Sequence, residues 1–402
     1  MTIHPIPSMK NTYMIMKSIL SIFLSACLFS TAFAEWVYDS TAKTLTQGTV
    51  VLNNVTATGT KLTIGDNKAN ETAVELDFST GFADGYQLNS IAESAFNSNK
   101  YVTKLVLGDT ITYIGKSAFI NCSNLTGEII LPDSLGSTGY HPFMSTAITR
   151  LVFGSGMKNV NNWFARECKQ LESIKWNQNI TSIGETAFSS CTALTTFENE
   201  FPSNITQIGG SAFHTTPNLE GDNRDLKLLK LTGLGGTAFQ SSGIKSVELG
   251  GGLASTGNAF FQAGKLESVI LHEGVQTVGS DCFPYCTSLT NLVIASTVTT
   301  VGDCMRNMGD AELHVWWKGV ARVGEITTGT YGLLAGKSTA VHHFDIAKKD
   351  DWAVFAASLA DTNVSLTLPP KDSSLSVGSW GYKGAHKVVW FGFPAATQII
   401  IW

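Results

Sequence analysis

Apolar positions along this chain follow a compound rhythm rather than a helical one. An apolar residue followed by Gly comes first, as at Ile183-Gly184 and Val301-Gly302. An Ala-Phe pair follows a few residues on, and then a segment of the form L-x-x-I-x-L, such as Leu171, Ile174 and Trp176 or Leu266, Val269 and Leu271. Period-two apolar spacing at the end of that segment predicts a short strand with one buried face. Gly after the apolar residue predicts a turn, because Gly tolerates backbone conformations that a Cβ resists. The phrase then repeats. IGKSAFINCSNL at Ile114–Leu125 returns as IGETAFSSCTAL at Ile183–Leu194, as IGGSAFHTTPNL at Ile208–Leu219, and more loosely as VGSDCFPYCTSL at Val278–Leu289. Aromatic anchors fall at Phe96, Phe119, Phe143, Phe164, Phe188, Phe213, Phe239, Phe261 and Phe283, with spacings of 21 to 26 residues.

A coil of that length cannot bury its own apolar face, so it must stack on its neighbours. The predicted fold is a β-rich solenoid, a right-handed stack of about nine coils over residues 89–312, with strands about 4.8 Å apart. Its ends need covers. Residues 35–88 read as an N-terminal β cap, with short β patterns such as TVVLNNVTA and ELDFS between Gly and Asn turns. Residues 313–402 differ in composition: six of the nine Trp lie there, at Trp316, Trp317, Trp352, Trp380, Trp390 and Trp402. This segment reads as a Trp-rich C-terminal cap or small module, with a helix expected over Asp350–Leu359.

The recurring I-G-x-x-A-F-x-x-C-x-x-L-x-x-I-x-L-P resembles the BspA-like class of leucine-rich repeats found in surface proteins, over about Ile91–Ile294. Some copies depart from it. Tyr140–Phe143 lacks the Ala-Phe pair, Gly250-Gly251-Gly252 stands where a Pro turn is usual, and Met305-Arg306 replaces the expected Phe after Val301-Gly302. The resemblance implies a solenoid, an extracellular address and a role in attachment or recognition. It carries over no catalytic residue, because the family motif is structural.

The first 34 residues read as a secretory signal rather than fold. Lys10 and Lys17 precede the apolar run Ser18–Phe33, which closes on Ala32-Phe33-Ala34, an A-x-A cleavage pattern. Initiation at Met14 or Met16 would shorten an unusually long leader. Leu24-Ser25-Ala26-Cys27 also resembles a lipobox that would lipidate Cys27, although the apolar LFSTAFA after it is unlike a polar tether. No later apolar run is long enough to span a bilayer.

Composition narrows the function classes. Apolar residues make up 43% of the 402 and charged residues only 15%, with a net charge of −5. Without a basic stripe there is no electrostatic case for nucleic acid. Gly is plentiful at 38 while Pro numbers 10, as many short turns require. GLLAGKST at Gly332–Thr339 imitates a phosphate-binding loop, but its glycine interval is one residue short. Gly233–Ala238 matches a loose dinucleotide fingerprint that the repeat's own G-x-x-A-F explains. No cofactor is therefore expected.

Six cysteines follow the signal. Cys122, Cys191 and Cys286 each sit three residues after their Phe and Cys168 four after its own, a ladder position that favours buried thiols. Cys282–Cys304 is the pair most suited to a bridge, and Cys282-x-x-x-Cys286 lacks a second ligand pair for zinc. His272-Glu273 has no second His, so the zinc-protease signature fails. His342-His343 with Asp345 reads as a surface turn, and no G-x-S-x-G elbow occurs. Glycosidase chemistry is unsupported, because a sequence cannot pair two carboxylates across a cleft.

The residue before the last apolar position of each strand should face away from the core. In chain order these are Val106, Ile130, Val152, Lys175, Glu198, Lys230, Glu248, Ile270 and Val293. Both ends are apolar and the middle four alternate in sign. Such a row is either a self-neutralising ladder or a recognition face. The expected function is a secreted or cell-surface, non-enzymatic binding or adhesion protein for an extracellular protein or glycan. A structural spacer without a soluble ligand, and a carbohydrate-active protein using the Trp-rich end, are the alternatives.

Overall fold

The computed structural model describes residues 35–67, 74–220 and 224–318, with the strand segments 325–326, 340–345, 377–381 and 385–391. The expected signal segment with Cys27, the Gly332–Thr339 loop and the Asp350–Leu359 helix lie outside these residues.

The chain coils into a β-solenoid of about eleven turns, a little longer than the nine expected. Each turn contributes one strand to a main parallel face, which hydrogen bonding divides into three ladders. Its strands include Val74–Asp77, Val102–Val106, Thr126–Ile130, Ala147–Val152, Ser173–Lys175 and Thr196–Phe197. They continue with Asp225–Leu228, Ser246–Leu249, Ser268–Leu271, Asn291–Ile294 and Leu313–Trp317. Alternation of the pleat sends Val247 and Leu249 inward in one copy, and a bulge between Val102 and Lys104 brings both Val102 and Leu105 inward in another. One short 3-10 turn, Ala83–Gly85, is the single helical element among the described residues.

A second ladder is built from the apolar-Gly dipeptides. Ser182–Ile183 pairs in parallel with Asn159–Val160 on one side and Gln207–Ile208 on the other. The apolar residue therefore ends a two-residue strand instead of opening a free turn. The following Gly is also needed for another reason than expected: none of Gly115, Gly184 and Gly209 has a positive φ. A Cβ on Gly209 would lie 2.4 Å from the Glu185 backbone nitrogen, and one on Gly115 2.3 Å from that of Glu93. The coils pass so closely that only hydrogen fits between them.

A third hydrogen-bonded rung crosses the Ala-Phe segment. The Phe119 N–H donates to Pro142, Phe143 to Phe164, Phe188 to Ala212 and Phe213 to Ala238. This ladder fixes which residue fills which slot. Phe96 stacks on Phe119 at 5.1 Å, Phe119 on Phe143 at 5.6 Å, and Phe213 on Phe239 at 5.5 Å. Two anchors differ from expectation. Phe260, not Phe261, continues the stack, at 5.5 Å from Phe239 and 6.0 Å from Phe283. Phe164 occupies the small-residue slot, because its coil reads Phe-Ala instead of Ala-Phe, and Ala165 takes the aromatic slot. Phe153 and Trp176, stacked at 5.4 Å, fill the neighbouring space. Met305 is fully buried in the slot after Phe283, so the coil that lacks Phe is filled by a flexible apolar side chain.

At the N-terminus Val37–Asp39, Thr44–Gln47 and Val50–Leu52 form an antiparallel meander. Val55–Thr58 pairs antiparallel with Lys61–Ile64, which then pairs in parallel with Gln87–Ile91. Parallel stacking thus begins before residue 88. It also continues past residue 312, through Leu313–Trp317 to Ala340–Asp345 and Ala385–Phe391. Val377–Gly381 closes that edge in antiparallel sense. One contiguous apolar core runs from Trp36 to Ala340.

Candidate functional surface

The outer face of the main ladder gathers most of the expected residues, but in two blocks. In the first, Ile130, Val152 and Lys175 stand on adjacent strands in direct register, with Val106 facing Asp77 on the first pair. Ile130 is 52% exposed, Val106 and Val152 are half-buried, and Lys175 is exposed. In the second, Lys227, Glu248, Ile270, Val293, Trp316 and His343 form one register row. Lys230 is not in it. The strand of that coil ends at Leu228, so Lys227 takes the outward position, and Lys230 lies beyond it with its ammonium on Asn204 Oδ1 at 2.6 Å. The apolar run Leu228-Leu229 followed by Leu231 offers two registers, and only the tertiary pairing chooses. Val293 also departs from expectation, being 1% exposed between Ile270 and Trp316.

Charge in the first block is organised around a residue that the sequence reading missed. Arg150 sits one outward position before Val152, opposite Glu128 and Ser173. Its Nε and Nη2 donate to the two oxygens of Glu198 at 2.6 and 2.7 Å, and it also pairs with Glu128. The Ser173 hydroxyl donates to Glu198 at 2.6 Å. The Arg150 hydrogen bonds, with those of Ser173 and the Lys175 charge, hold the Glu198 carboxyl down at about 2. Each L-x-x-I-x-L strand has two outward positions, and reading both would have found Arg150. In the second block Glu248 meets Lys227 at 3.9 Å and His272 at 2.8 Å.

The far end of the face is aromatic. Trp316 stacks on His343 at 3.7 Å with an 8° interplanar angle, and His343 Nε2 lies 2.9 Å from His314 Nδ1. Burial, reinforced by His314, pushes the His343 imidazole down to about 4. Of the expected His342, His343 and Asp345 cluster, His343 alone has a described side chain. Trp317 turns the other way and is 1% exposed in the core.

All six described cysteines are free and buried, Cys282 and Cys304 included. The thiols of Cys122, Cys168 and Cys286 donate to the carbonyls of Phe96, Phe143 and Phe260 in the preceding coil, at 3.0 to 3.1 Å. Thr146 and Thr216 occupy the same rung and bond the carbonyls of Phe143 and Phe213, both at 2.9 Å. Counted from Ala165, Cys168 also sits three residues on, so the rung is uniform. Burial raises the thiol pKa to about 12 at Cys122 and Cys286 and about 11 at Cys168. Among the described residues no group of three His, Cys, Asp or Glu is placed to hold a metal ion. No helix among them is long and apolar enough to cross a membrane.

Six copies of the BspA type leucine rich repeat region match residues 89–220 and 225–309, more than half of the chain. The chain belongs to the BspA-type leucine-rich repeat family. Several solved structures resemble it at low identity. A leucine rich cell surface protein of Faecalibacterium prausnitzii is 17% identical over 77% of this chain and 96% of its own, with a TM-score of 0.41. A leucine-rich repeat protein of Bacteroides ovatus is 20% identical over 67% and 95%, with a TM-score of 0.31. The pneumococcal vaccine antigen PcpA is 15% identical over 75% and 87%, with a TM-score of 0.37. No curated protein matches. The family assignment rests on the repeat match, and a BspA-type solenoid is a scaffold whose function lies in the surface it displays.

Proposed function

We propose that this chain is an exported, non-catalytic binding protein of the cell surface or secretome, which holds an extracellular protein or glycan on the outer face of its main sheet. One observation carries the reading: Ile130 stands 52% exposed in register with the half-buried Val152, beside the self-satisfied Glu128–Arg150–Glu198 group. Ion pairing needs no exposed isoleucine there, whereas an apolar centre with a polar rim is how recognition patches are built. Binding of residues 35–402 to an array of extracellular-matrix proteins and glycans tests it. Ile130→Lys is expected to lower binding by tenfold or more at an unchanged melting temperature. Unchanged binding would remove this face from the reading.

A spacer without a soluble ligand is the second reading, favoured by the mutual satisfaction of Arg150 and Glu198. It predicts no retention of the wild-type protein on any member of the array.

A further inference from the structure

Most coils turn, three residues after the last residue of the second-ladder strand, through one residue of left-handed backbone. In sequence order these are Ser94, Ser117, His141, Trp163, Thr186, Ser211, Thr237 and Asp281, with φ between 54° and 57°. Their amides donate to the next coil, Ser117 to Tyr140, His141 to Asn162 and Trp163 to Glu185. The slot therefore repeats in register along the solenoid. Five of its eight occupants are Ser or Thr and one is Asp, whose short polar side chains suit such a turn. Two neighbouring occupants are large rings, and for the bulky Trp163 that backbone is unfavourable.

The two rings meet. His141 and Trp163 stack at 4.9 Å with an interplanar angle of 25°. Tyr140, 50% exposed, stands edge-on to Trp163 at 6.4 Å. None of the three belongs to the core. Of the charges beside them, Lys116 pairs with Glu93 at 3.6 Å and Arg166 with Glu167 at 2.9 Å, and the exposed Glu185 follows on the next coil. Burial, with Lys116 and Arg166 close by, lowers the His141 pKa, so the ring stays neutral near pH 7. The result is an aromatic ledge whose neighbouring cations are both matched, separate from the outer sheet face.

We infer that Tyr140, His141 and Trp163 form a stacking ledge for a neutral pyranose of a glycan chain. The electron-rich ring faces accept the C–H face of a sugar. Both cations are matched, so an acidic polysaccharide would find no free counter-charge at this place.

Affinity electrophoresis of residues 35–402 through gels containing starch, laminarin, xylan or mannan tests the ledge. At least one of these neutral polysaccharides is expected to retard the protein, and Trp163→Ser to abolish at least 80% of the retardation. Ser is the residue that coils with Ser117 and Ser211 already carry in this slot, so the melting temperature should hold or rise. Tyr285→Ser removes a 38% exposed ring on a distant coil and should leave the retardation unchanged, which separates the ledge from exposed rings in general. No retardation in any of the four gels overturns the inference. Retardation that persists in Trp163→Ser overturns it too, as does Trp163-dependent retardation by alginate alone.

Discussion

At the residue scale the repeat is governed by what each slot can contain. The aromatic slot accepts Phe in most coils, Met at Met305 and even Ala at Ala165, provided neighbours restore the volume. Trp176 does so in the fifth copy, lying within 5.6 Å of Phe153, Phe188, Phe197 and Phe201. Close packing explains why one exchange requires others: a void loses contacts on every wall. The thiol rung is fixed equally firmly. Native protein covering residues 35–402 should resist iodoacetamide at pH 8, since burial holds thiols such as Cys122 and Cys286 near 12. Six thiols should label after denaturation, and fewer would reveal a bridge. Gly209→Ala should destabilise by about 1–3 kcal/mol, because backbone of the preceding coil occupies the place of the new Cβ. Calorimetry checks it; a neutral effect would mean that the coils can separate.

Among elements, strands communicate across the outer face through side chains rather than through the core. The Arg150 fork spans from its own strand to Glu198 two strands away, passing Ser173. Glu198 titrates at about 2 in the fold against an ordinary 4.5. A depressed carboxylate contributes stability above its unfolded value and loses that contribution as pH falls toward the folded one. Arg150→Gln should therefore lower stability by about 1 kcal/mol at pH 7, the upper end for a half-exposed pair. The gap between wild type and variant should close between pH 4.5 and 2, as followed by urea unfolding. A gap that stays constant with pH would mean Arg150 acts by packing alone.

For the whole molecule, stability is a chain of nearest-neighbour interfaces. Ending the protein after Ala311 would remove Leu313–Trp317 and leave Asn291–Ile294 as an open edge, with Val293 stripped of Trp316. An exposed parallel edge of that kind invites aggregation. The shortened chain should melt lower and self-associate in sedimentation velocity. A monomer of unchanged melting temperature would show that the coils before Leu313 cap themselves.

The sequence alone determined the solenoid, its period and its thiol rung, because each follows from local repetition: a coil that cannot bury its own face has one way to do so. It did not determine register where apolar residues are doubled. The doubled residues Leu228, Leu229 and Leu231 pointed to Lys230, and Phe260-Phe261 to Phe261, where neighbouring coils select Lys227 and Phe260 instead. Nor did it show why Gly follows the apolar residue, since the clash belongs to another coil about 23 residues away. The Arg150–Glu198 fork and the His141–Trp163 stack were hidden for the same reason. Both pair residues on different turns, and their distance depends on stacking that no single repeat encodes.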